Sequence, residues 1–318
     1  MRIGILGTAD IAFRRFLPAL QKCEAFTYAG VASRTPEKAK PFVDTFGGQV
    51  YDGYDALLAD DSIDAVYVPL PPALHYEWGK KALLSGKHLL MEKPFTTSLE
   101  QTEELLRLAE EKGLAVHENY MFLYHSQLSY IKKLIADGEL GDIRLYRMSF
   151  GFPKRAEGDF RYNKALGGGA LLDCGGYPVR LALELLGDTT RVTQAKLVQP
   201  AGYEVDLFGN AVLENDDGLC AQISFGMDNA YQCQLEVWGS KQTLIASRIF
   251  TAGDGFAPII QFKSSQDEKI EKLSADDQFL HSIEQFGCAV QKEMVRKECY
   301  SLLNTQGKLI EEIRMGDN

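Results

Sequence analysis

The first twelve residues constrain the fold of this chain more than any other stretch. An apolar segment, Arg2–Leu6, leads directly into Gly7 and then into a sequence typical of a helix. The pyrophosphate site of a dinucleotide cofactor begins in this way, because the turn and the helix N-terminus expose backbone N–H groups. A strand–turn–helix that binds nothing has the same pattern. We predict that the pyrophosphate contacts Gly7, Thr8, Ala9, Asp10, Ile11 and Ala12.

The turn departs from the usual three-glycine pattern at two positions. Ala9 stands where a middle glycine lets the backbone approach the phosphate, and Ala12 takes the last small position. We expect the methyl group of Ala9 to push the phosphate slightly away or to require a bridging water.

The end of the second predicted strand, Thr27–Ala32, indicates which cofactor is used. A site for NAD usually places Asp or Glu about 20 residues past the glycine turn, where it holds the ribose hydroxyls. This chain has Ser33, Arg34 and Thr35 there, followed by Lys38. A guanidinium suits a phosphate through paired, charged hydrogen bonds, so NADP(H) is favoured over NAD(H). The alternative is that Arg34 is an ordinary solvated loop residue.

Two patterns of secondary structure divide the chain. Up to about residue 117, predicted strands alternate with predicted helices, which implies a parallel sheet with right-handed crossovers. Residues 191–262 instead read as short β segments without helices between them, as in an antiparallel sheet. We therefore predict an α/β fold with an N-terminal Rossmann doubly wound parallel sheet and a C-terminal α/β domain built on a large, mostly antiparallel sheet. The predicted domains are 1–120 for dinucleotide binding and 121–318 for substrate binding and oligomerisation.

Two local features of the first domain are also predicted. Pro18 falls inside the helical pattern Asp10–Lys22, so a kink or break is expected there. Thr97 and Glu100 have the spacing of a capping box, which predicts that Thr97 caps the following helix.

Composition excludes several classes of function. The formal net charge of −10 argues against a general nucleic-acid or acidic-membrane binder. No apolar run reaches membrane-spanning length and Met1 leads straight into a strand, so we expect no signal peptide and a cytoplasmic protein. The six cysteines include no Cys-x-x-Cys pair, which favours reduced, mostly buried thiols.

A lysine follows another apolar strand, His88–Met91, in the sequence Glu92-Lys93-Pro94. Proline biases the preceding residue away from helical angles and can form a cis bond. Either conformation would aim the ammonium of Lys93 from the strand end into the cleft where such sheets bind ligands. There it could bind a sugar or keto oxygen and lower the pKa of a nearby proton donor. Outside this setting, Lys-Pro is common in ordinary turns.

Asp173 and Tyr177 lie four residues apart on a predicted helix, so they share a face. The preceding run Gly167–Gly169 allows close approach of a backbone or a ligand. A carboxylate and a phenol together suit substrate positioning and proton transfer. Equally, Asp173 could pair with a basic residue such as Arg180, with Tyr177 packed in the core.

Further candidates lie on loops and at strand ends. Arg161 and Tyr162 precede the glycine run and could reach a substrate, although a structural salt bridge for Arg161 fits nearly as well. His75 and His125 sit near strand-to-helix junctions, but neither has metal-ligand spacing with another His, Cys or carboxylate. We therefore predict no metal site.

Taken together, these residues resemble the Gfo/Idh/MocA family of oxidoreductases over nearly the whole chain. The resemblance rests on Gly7–Ala12, Tyr67–His75, Glu92–Pro94 and Leu166–Asp173 with Tyr177. It implies the two domains described above, with the large sheet often used for oligomer contacts. It also implies that Lys93 is the active-site lysine, Asp173 the substrate-side aspartate and Tyr177 the proton-transfer residue.

The resemblance adds residues to the predicted cofactor site, and this sequence differs from the usual family pattern at two positions. The cofactor site is predicted to include Pro69, Leu70, His75, Glu92 and Lys93 in addition to the residues above. Many members of the family have His at position 177, and Pro72 replaces a common Asn, which puts one nicotinamide-side contact in doubt. Tyr at position 177 is typical of the glucose–fructose oxidoreductase, dihydrodiol dehydrogenase and sugar 3-ketoreductase branches.

The predicted function is therefore hydride transfer between NADP(H) and a carbohydrate or related polyhydroxy or keto substrate, nucleotide-linked sugars included. Tyr177 exchanges the proton, Lys93 assists it, and Arg161, Tyr162 and Asp173 join these two in binding the substrate. The alternatives are a glycoside hydrolase-like relative that uses NAD transiently, and a catalytically silent, cofactor-binding regulator. A homodimer or homotetramer is expected.

Overall fold

The structure is a computed structural model and describes residues 1–316. The chain forms two compact units. The first comprises Met1–Tyr120 and Phe279–Asn304, and the second comprises Met121–Gln278 and Thr305–Asn318. Residues 279–304 thus pack with the first unit, whereas sequence reasoning assigned the whole of 121–318 to the second domain.

The first unit is built on a six-stranded parallel sheet with the order β3-β2-β1-β4-β5-β6. Its strands are β1 (Arg2–Leu6), β2 (Thr27–Ser33), β3 (Gln49–Asp52), β4 (Ala65–Val68), β5 (His88–Met91) and β6 (Val116–Glu118). The order reverses between β1 and β4, and ligands bind at such a switch point, outside the carboxyl ends of the strands. The Rossmann sheet predicted from the alternating pattern is confirmed. The short strand β3 lies where sequence reasoning found none.

Helices connect these strands, and the third, fourth and fifth of them share one apolar core with the sheet. They are α1 (Leu17–Leu20), α2 (Pro36–Phe46), α3 (Tyr54–Leu58), α4 (His75–Leu84) and α5 (Leu99–Lys112). A π-helical turn, Ala12–Phe16, precedes α1. The predicted irregularity near Pro18 is therefore present, since the π turn gives way to a short α-helix with Pro18 in its first turn.

The predicted cap of α5 is wrong by one residue. Ser98, not Thr97, is the N-cap, and its hydroxyl accepts a hydrogen bond from the backbone N–H of Gln101 at 3.3 Å. The hydroxyl of Thr97 instead donates to the Gln101 side chain. The run Thr96-Thr97-Ser98 offers three hydroxyls, and the backbone angles of the incoming loop decide which one caps.

The second unit is built on an eight-stranded sheet with the order β14-β13-β12-β11-β7-β10-β9-β8. Its strands are β7 (Ile143–Gly151), β8 (Arg191–Val198), β9 (Phe208–Glu214), β10 (Cys220–Gly226), β11 (Gln232–Gly239), β12 (Thr243–Ser247), β13 (Ile259–Lys263) and β14 (Glu268–Lys272). Only β7 and β10 pair in parallel, so the predicted large, mostly antiparallel sheet is confirmed.

Successive side chains of a strand point to opposite faces of a sheet. In this sheet one face is buried and the other is exposed. In β11, Leu235 and Val237 are fully buried while Trp238 is exposed. The remaining helices are α6 (Ser126–Ala136), α7 (Gly176–Leu186), α8 (Gln278–Gln291) and α9 (Glu293–Met315). A π-helical turn, Leu171–Gly175, runs directly into α7 and packs with it on β7 and β10.

Candidate active site

The glycine turn after β1 has the geometry that a pyrophosphate site needs. Gly7 has a φ of +105°, which side-chain-bearing residues rarely adopt. A Cβ at this position would also lie 2.8 Å from Cδ2 of Leu70, so two predicted site residues meet here. Thr8 and Ala9 are half-buried and Asp10 is exposed, which leaves the turn open to a ligand. The carboxylate of Asp10 pairs with Arg14 at 2.6 Å.

Directly after β2 comes the cation Arg34, with no carboxylate among residues 33–35; Glu37 and Lys38 follow in the first turn of α2. The hydroxyl of Ser33 accepts a hydrogen bond from the backbone N–H of Thr35 at 3.1 Å and donates to its carbonyl at 2.8 Å. Ser33 is buried, so it shapes this turn, while Arg34 and Lys38 are exposed. The turn held by the Ser33 hydroxyl therefore leaves the cations exposed at the place where a Rossmann site contacts the adenosine ribose.

Lys93 lies in a backbone corner after β5, and hydrogen bonds fix the residues before and after it. The Lys93–Pro94 peptide bond is cis. After this bond, the backbone N–H of Phe95 donates to Oε1 of Glu118 at 2.7 Å. Before it, Oε1 of Glu92 accepts from the Tyr67 hydroxyl at 2.6 Å and from Nδ2 of Asn119 at 2.7 Å. The carboxyl ends of β4, β5 and β6 are thus joined around this lysine.

His75 supports the same corner from the other side. It is fully buried, with Nδ1 2.7 Å from the Pro94 carbonyl and Nε2 2.7 Å from the Leu70 carbonyl. Burial lowers the pKa of His75 to about 4, the carbonyls of Pro94 and Leu70 oppose that shift, and the Lys93 ammonium adds to it. The structure therefore places the predicted cofactor residue His75 between two backbone segments, the one after β4 and the one after Lys93.

Asp173 and Tyr177 lie at the start of the helical segment that carries α7. Asp173 belongs to the π turn and Tyr177 to the first turn of α7, with 8% and 5% of their surfaces exposed. The Tyr177 ring packs among three phenylalanine rings, with centroids 4.8 Å away for Phe150 and 5.9 Å away for both Phe122 and Phe250. A π turn inserted into a helix is a feature often found at functional sites.

Arg161 pairs with Asp173. Its Nε lies 2.7 Å from Oδ2 of Asp173, and its Nη1 lies 3.2 Å from Oδ1 of Asp159. Burial acts to lower the pKa of Arg161, but the two carboxylates outweigh burial and raise it. The salt bridge that the sequence left open for Arg161 and the ion pair that it left open for Asp173 are thus one contact.

Tyr162, the neighbouring candidate, is tied into the same loop. Its hydroxyl accepts a hydrogen bond from the backbone N–H of Arg155 at 2.7 Å, and its ring lies 5.8 Å from that of Tyr203. A cavity of about 600 Å³ adjoins these rings and Asp159.

Sequence reasoning missed residues that hold the candidates in place. Asp206 accepts from the backbone N–H of Leu171 at 2.7 Å, at the start of the helical segment that carries Asp173. No local pattern marks it, because it lies 35 residues away along the chain. Glu118 and Asn119 do have a signal, since Glu118 ends β6 and Asn119 follows it, at the same sheet edge where Glu92 follows β5.

Residues 1–316 lack two features that would indicate other functions. No cluster of His, Cys, Asp and Glu in this part of the chain is arranged to hold a metal ion. Nor does any helix within it have the length and apolar character needed to cross a membrane.

The fold and these residues define a dinucleotide-dependent oxidoreductase. Family models match both parts of the chain: an oxidoreductase family with an NAD-binding Rossmann fold over residues 1–120, and the GFO/IDH/MocA C-terminal domain over residues 128–245. The chain belongs to the Gfo/Idh/MocA oxidoreductase family.

Individual relatives agree with this assignment. The chain is 40% identical to a dTDP-3,4-didehydro-2,6-dideoxy-α-D-glucose 3-reductase of Actinomadura kijaniata, over 99% of this chain and 95% of the relative. It is 32% identical to an NADP⁺-dependent D-xylose 1-dehydrogenase of Haloferax volcanii, over 99% and 98% of the two chains. A crystal structure of a 3-ketoreductase from A. kijaniata with NADP and TDP-benzene superposes with a TM-score of 0.95 at 40% identity, over 99% and 97%. The predicted family and the predicted oxidoreductase activity are confirmed.

Proposed function

We propose that this protein uses NADPH to reduce the C3 carbonyl of a dTDP-linked 3,4-didehydro-2,6-dideoxy sugar. The observation that carries the proposal is 40% identity to a reductase of that name over 99% of this chain. More generally, the protein is an oxidoreductase that moves a hydride between NADP(H) and a C=O or CH–OH group of a carbohydrate.

The first unit fits NADP(H). The open turn at Gly7 offers backbone N–H groups and a helix N-terminus to the pyrophosphate. Arg34 and Lys38 offer positive charge to the 2′-phosphate, and residues 33–35, where an NAD site usually has its Asp or Glu, contain no carboxylate. When bound, the cofactor supplies or accepts the hydride.

Tyr177 is the proposed proton donor during reduction. Phe122, Phe150 and Phe250 fix its ring, so the phenol keeps one orientation toward the substrate oxygen. A phenol is a suitable acid for a carbonyl reduction if a nearby cation lowers its pKa. Lys93 is the proposed cation, and its role is to stabilise the phenolate as the proton leaves and to bind the same oxygen.

Asp173 is the proposed ligand of a neighbouring sugar hydroxyl. Arg161 holds its carboxylate at 2.7 Å and balances its charge, so the ring can be bound without an isolated buried anion. Arg161 and Tyr162 are proposed to contact the substrate from the same loop.

The test is a substrate screen in which NADPH and NADH oxidation are followed with a dTDP-linked 3-keto sugar generated in place. We expect net NADPH oxidation and a product reduced at C3. The reverse assay, with NADP⁺ and free D-xylose, serves as the second arm, because the similarity to a xylose dehydrogenase favours sugar oxidation as the second candidate. No net redox turnover with either substrate would reject the proposal, and glycoside cleavage without net NADPH oxidation would favour the hydrolase alternative.

We further propose a homodimer or homotetramer formed through the exposed face of the large sheet. Phe208, Trp238 and Ile259 are each about 40% exposed and lie on strands of this sheet. Large exposed apolar side chains of this kind favour a second protein surface over water. A cytoplasmic location is also proposed, supported by six cysteines that form no disulfide in the described residues, which fits a reducing compartment.

A further inference from the structure

Three buried side chains form a hydrogen-bond chain that ends on the half-buried Glu92, the residue before Lys93. Oγ of Ser282 donates to Oδ1 of Asn119 at 2.8 Å, and Nδ2 of Asn119 donates to Oε1 of Glu92 at 2.7 Å. Nε2 of His117 lies 3.0 Å from Oγ of Ser282. All four belong to the first unit, although Ser282 comes from α8, near the other end of the sequence.

The donors and acceptors fix the direction of this chain. Oε1 of Glu92 can only accept, so the amide group of Asn119 must face it and the carbonyl oxygen must face Ser282. Ser282 has a single hydroxyl proton, which it gives to Asn119. Its oxygen must therefore accept from His117, which requires a proton on Nε2 of that ring. Each hydrogen bond polarises the next toward the Glu92 carboxylate.

Ser282 and Asn119 are also nearly inaccessible to water. Ser282 is fully buried, and only 1% of Asn119 is exposed. Water cannot replace a lost partner in such a place, so removing the Ser282 hydroxyl leaves the Asn119 carbonyl and the His117 N–H without this contact. Asn119 is then released to rotate away from Glu92.

The structure assigns Ser282 as a positioning residue for Lys93, acting through Asn119 and Glu92. Glu92 ties the ends of β4 and β6 to its own strand, since Tyr67 and Asn119 both donate to its carboxylate. Lys93 is the next residue, so the direction of its side chain depends on this corner. The inference rests on the proposed function in one respect, namely that Lys93 acts during turnover.

The kinetic test compares Ser282→Ala, Asn119→Ala and the double variant in NADPH oxidation with the dTDP-linked 3-keto sugar. We expect Ser282→Ala to lower kcat roughly ten-fold, because small displacements of a catalytic group are costly, while the dissociation constant for NADPH changes less than about two-fold. The double variant should match Asn119→Ala, because Ser282 acts only through Asn119. Wild-type kcat in a folded Ser282→Ala protein, or additive losses in the double variant, would overturn the inference.

A matched control separates positioning from stability. Thr190 is also buried, and its hydroxyl donates to the Gly187 carbonyl in the second unit. Thr190→Val removes a comparable hydroxyl contact and should lower the free energy of unfolding while leaving kcat unchanged. An equal loss of kcat in Thr190→Val and Ser282→Ala would assign both effects to stability and overturn the inference.

A second measurement needs neither substrate nor variant. Imidazole ¹⁵N spectra of the wild-type protein should find the proton of His117 on Nε2 at pH 8, and a proton on Nδ1 alone would overturn the proposed direction of the hydrogen-bond chain.

The proposed function and the positioning inference can fail separately. If Lys93→Met is fully active, the proposed role of Lys93 fails and the positioning inference falls with it; if Lys93→Met is inactive but Ser282→Ala is not, only the inference fails.

Discussion

The Asp206 carboxylate accepts a 2.7 Å hydrogen bond from the backbone N–H of Leu171 and so caps the helical segment that carries Asp173 and Tyr177. Burial raises the pKa of Asp206, and the backbone N–H groups it accepts from oppose that effect. The loop containing Asp206 is therefore part of the support of the active site, although it touches neither candidate catalytic residue through these bonds.

Removing this cap should destabilise the protein. We expect Asp206→Ala to lower the free energy of unfolding by about 1–2 kcal/mol, the usual cost of a lost helix cap. Asp206→Asn keeps an oxygen acceptor and should lose less. Urea denaturation measures both, and an Asp206→Ala protein as stable as wild type would contradict the assignment.

Arg34 should decide the preference for the phosphorylated cofactor. We expect Arg34→Ala to weaken NADPH binding by about 10- to 100-fold, the range for a charged hydrogen bond, and to leave NADH binding nearly unchanged. Fluorescence titration with both cofactors measures this. Lys40→Ala removes an exposed charge on α2 and is the control. Tighter binding of NADH than of NADPH by the wild-type protein would reject the prediction.

Tyr177→Phe keeps the ring among the three phenylalanines and removes only the hydroxyl. We expect kcat for sugar reduction to fall by roughly 10²–10⁴-fold, with little change in NADPH affinity. Tyr146→Phe is the matched control, since Tyr146 is a buried tyrosine of the same unit, and it should remain active. Near-normal kcat in Tyr177→Phe would make its phenol structural.

Lys93→Met should also reduce kcat, because it removes the cation proposed to stabilise the phenolate. The Tyr177→Phe/Lys93→Met protein should lose less than the product of the two single losses, since groups that act as a unit are not additive. Single-turnover measurements with bound NADPH give these rates. Fully multiplicative losses would mean that the two residues act separately.

His75 should make the protein sensitive to acid. Its pKa is lowered to about 4 in the folded state from 6.5, so the unfolded chain binds the proton more readily. The stability it contributes is complete above pH 6.5 and is lost as the pH falls toward 4, by about 3 kcal/mol for a shift of this size. His88, whose pKa burial also lowers, adds in the same direction.

The free energy of unfolding, measured by urea denaturation at each pH, should therefore fall more steeply with decreasing pH for wild type than for His75→Gln. The variant should be less stable at neutral pH but should lose less stability on acidification. His281→Gln, at an exposed histidine on α8, should follow the wild-type curve. Identical slopes for wild type and His75→Gln would refute the prediction.

Trp238 should contribute to the proposed oligomer. It lies on the exposed face of the large sheet, where Leu145 and Thr243 are its partners on the neighbouring strands. We expect Trp238→Lys to shift the mass in light scattering toward the monomer, because it places a charge in an apolar contact. Met294→Lys changes an exposed apolar residue on α9 and should leave the mass unchanged. A wild-type monomer at all concentrations would reject the oligomer itself.

The sequence by itself determined the parts of this protein that depend on short-range pattern. The strand, glycine turn and helix at Gly7, the cations after β2 and the helical segment with Asp173 and Tyr177 all follow from residues close together along the chain. Family resemblance rests on the same short blocks. Only the tertiary structure decided which residues support them: Arg161 as a partner of Asp173, Asp206 as a cap, and Ser282 behind Asn119 and Glu92. Ser282 and Asn119 are 163 residues apart, and no local periodicity encodes a contact that exists only once the strands and α8 are packed together.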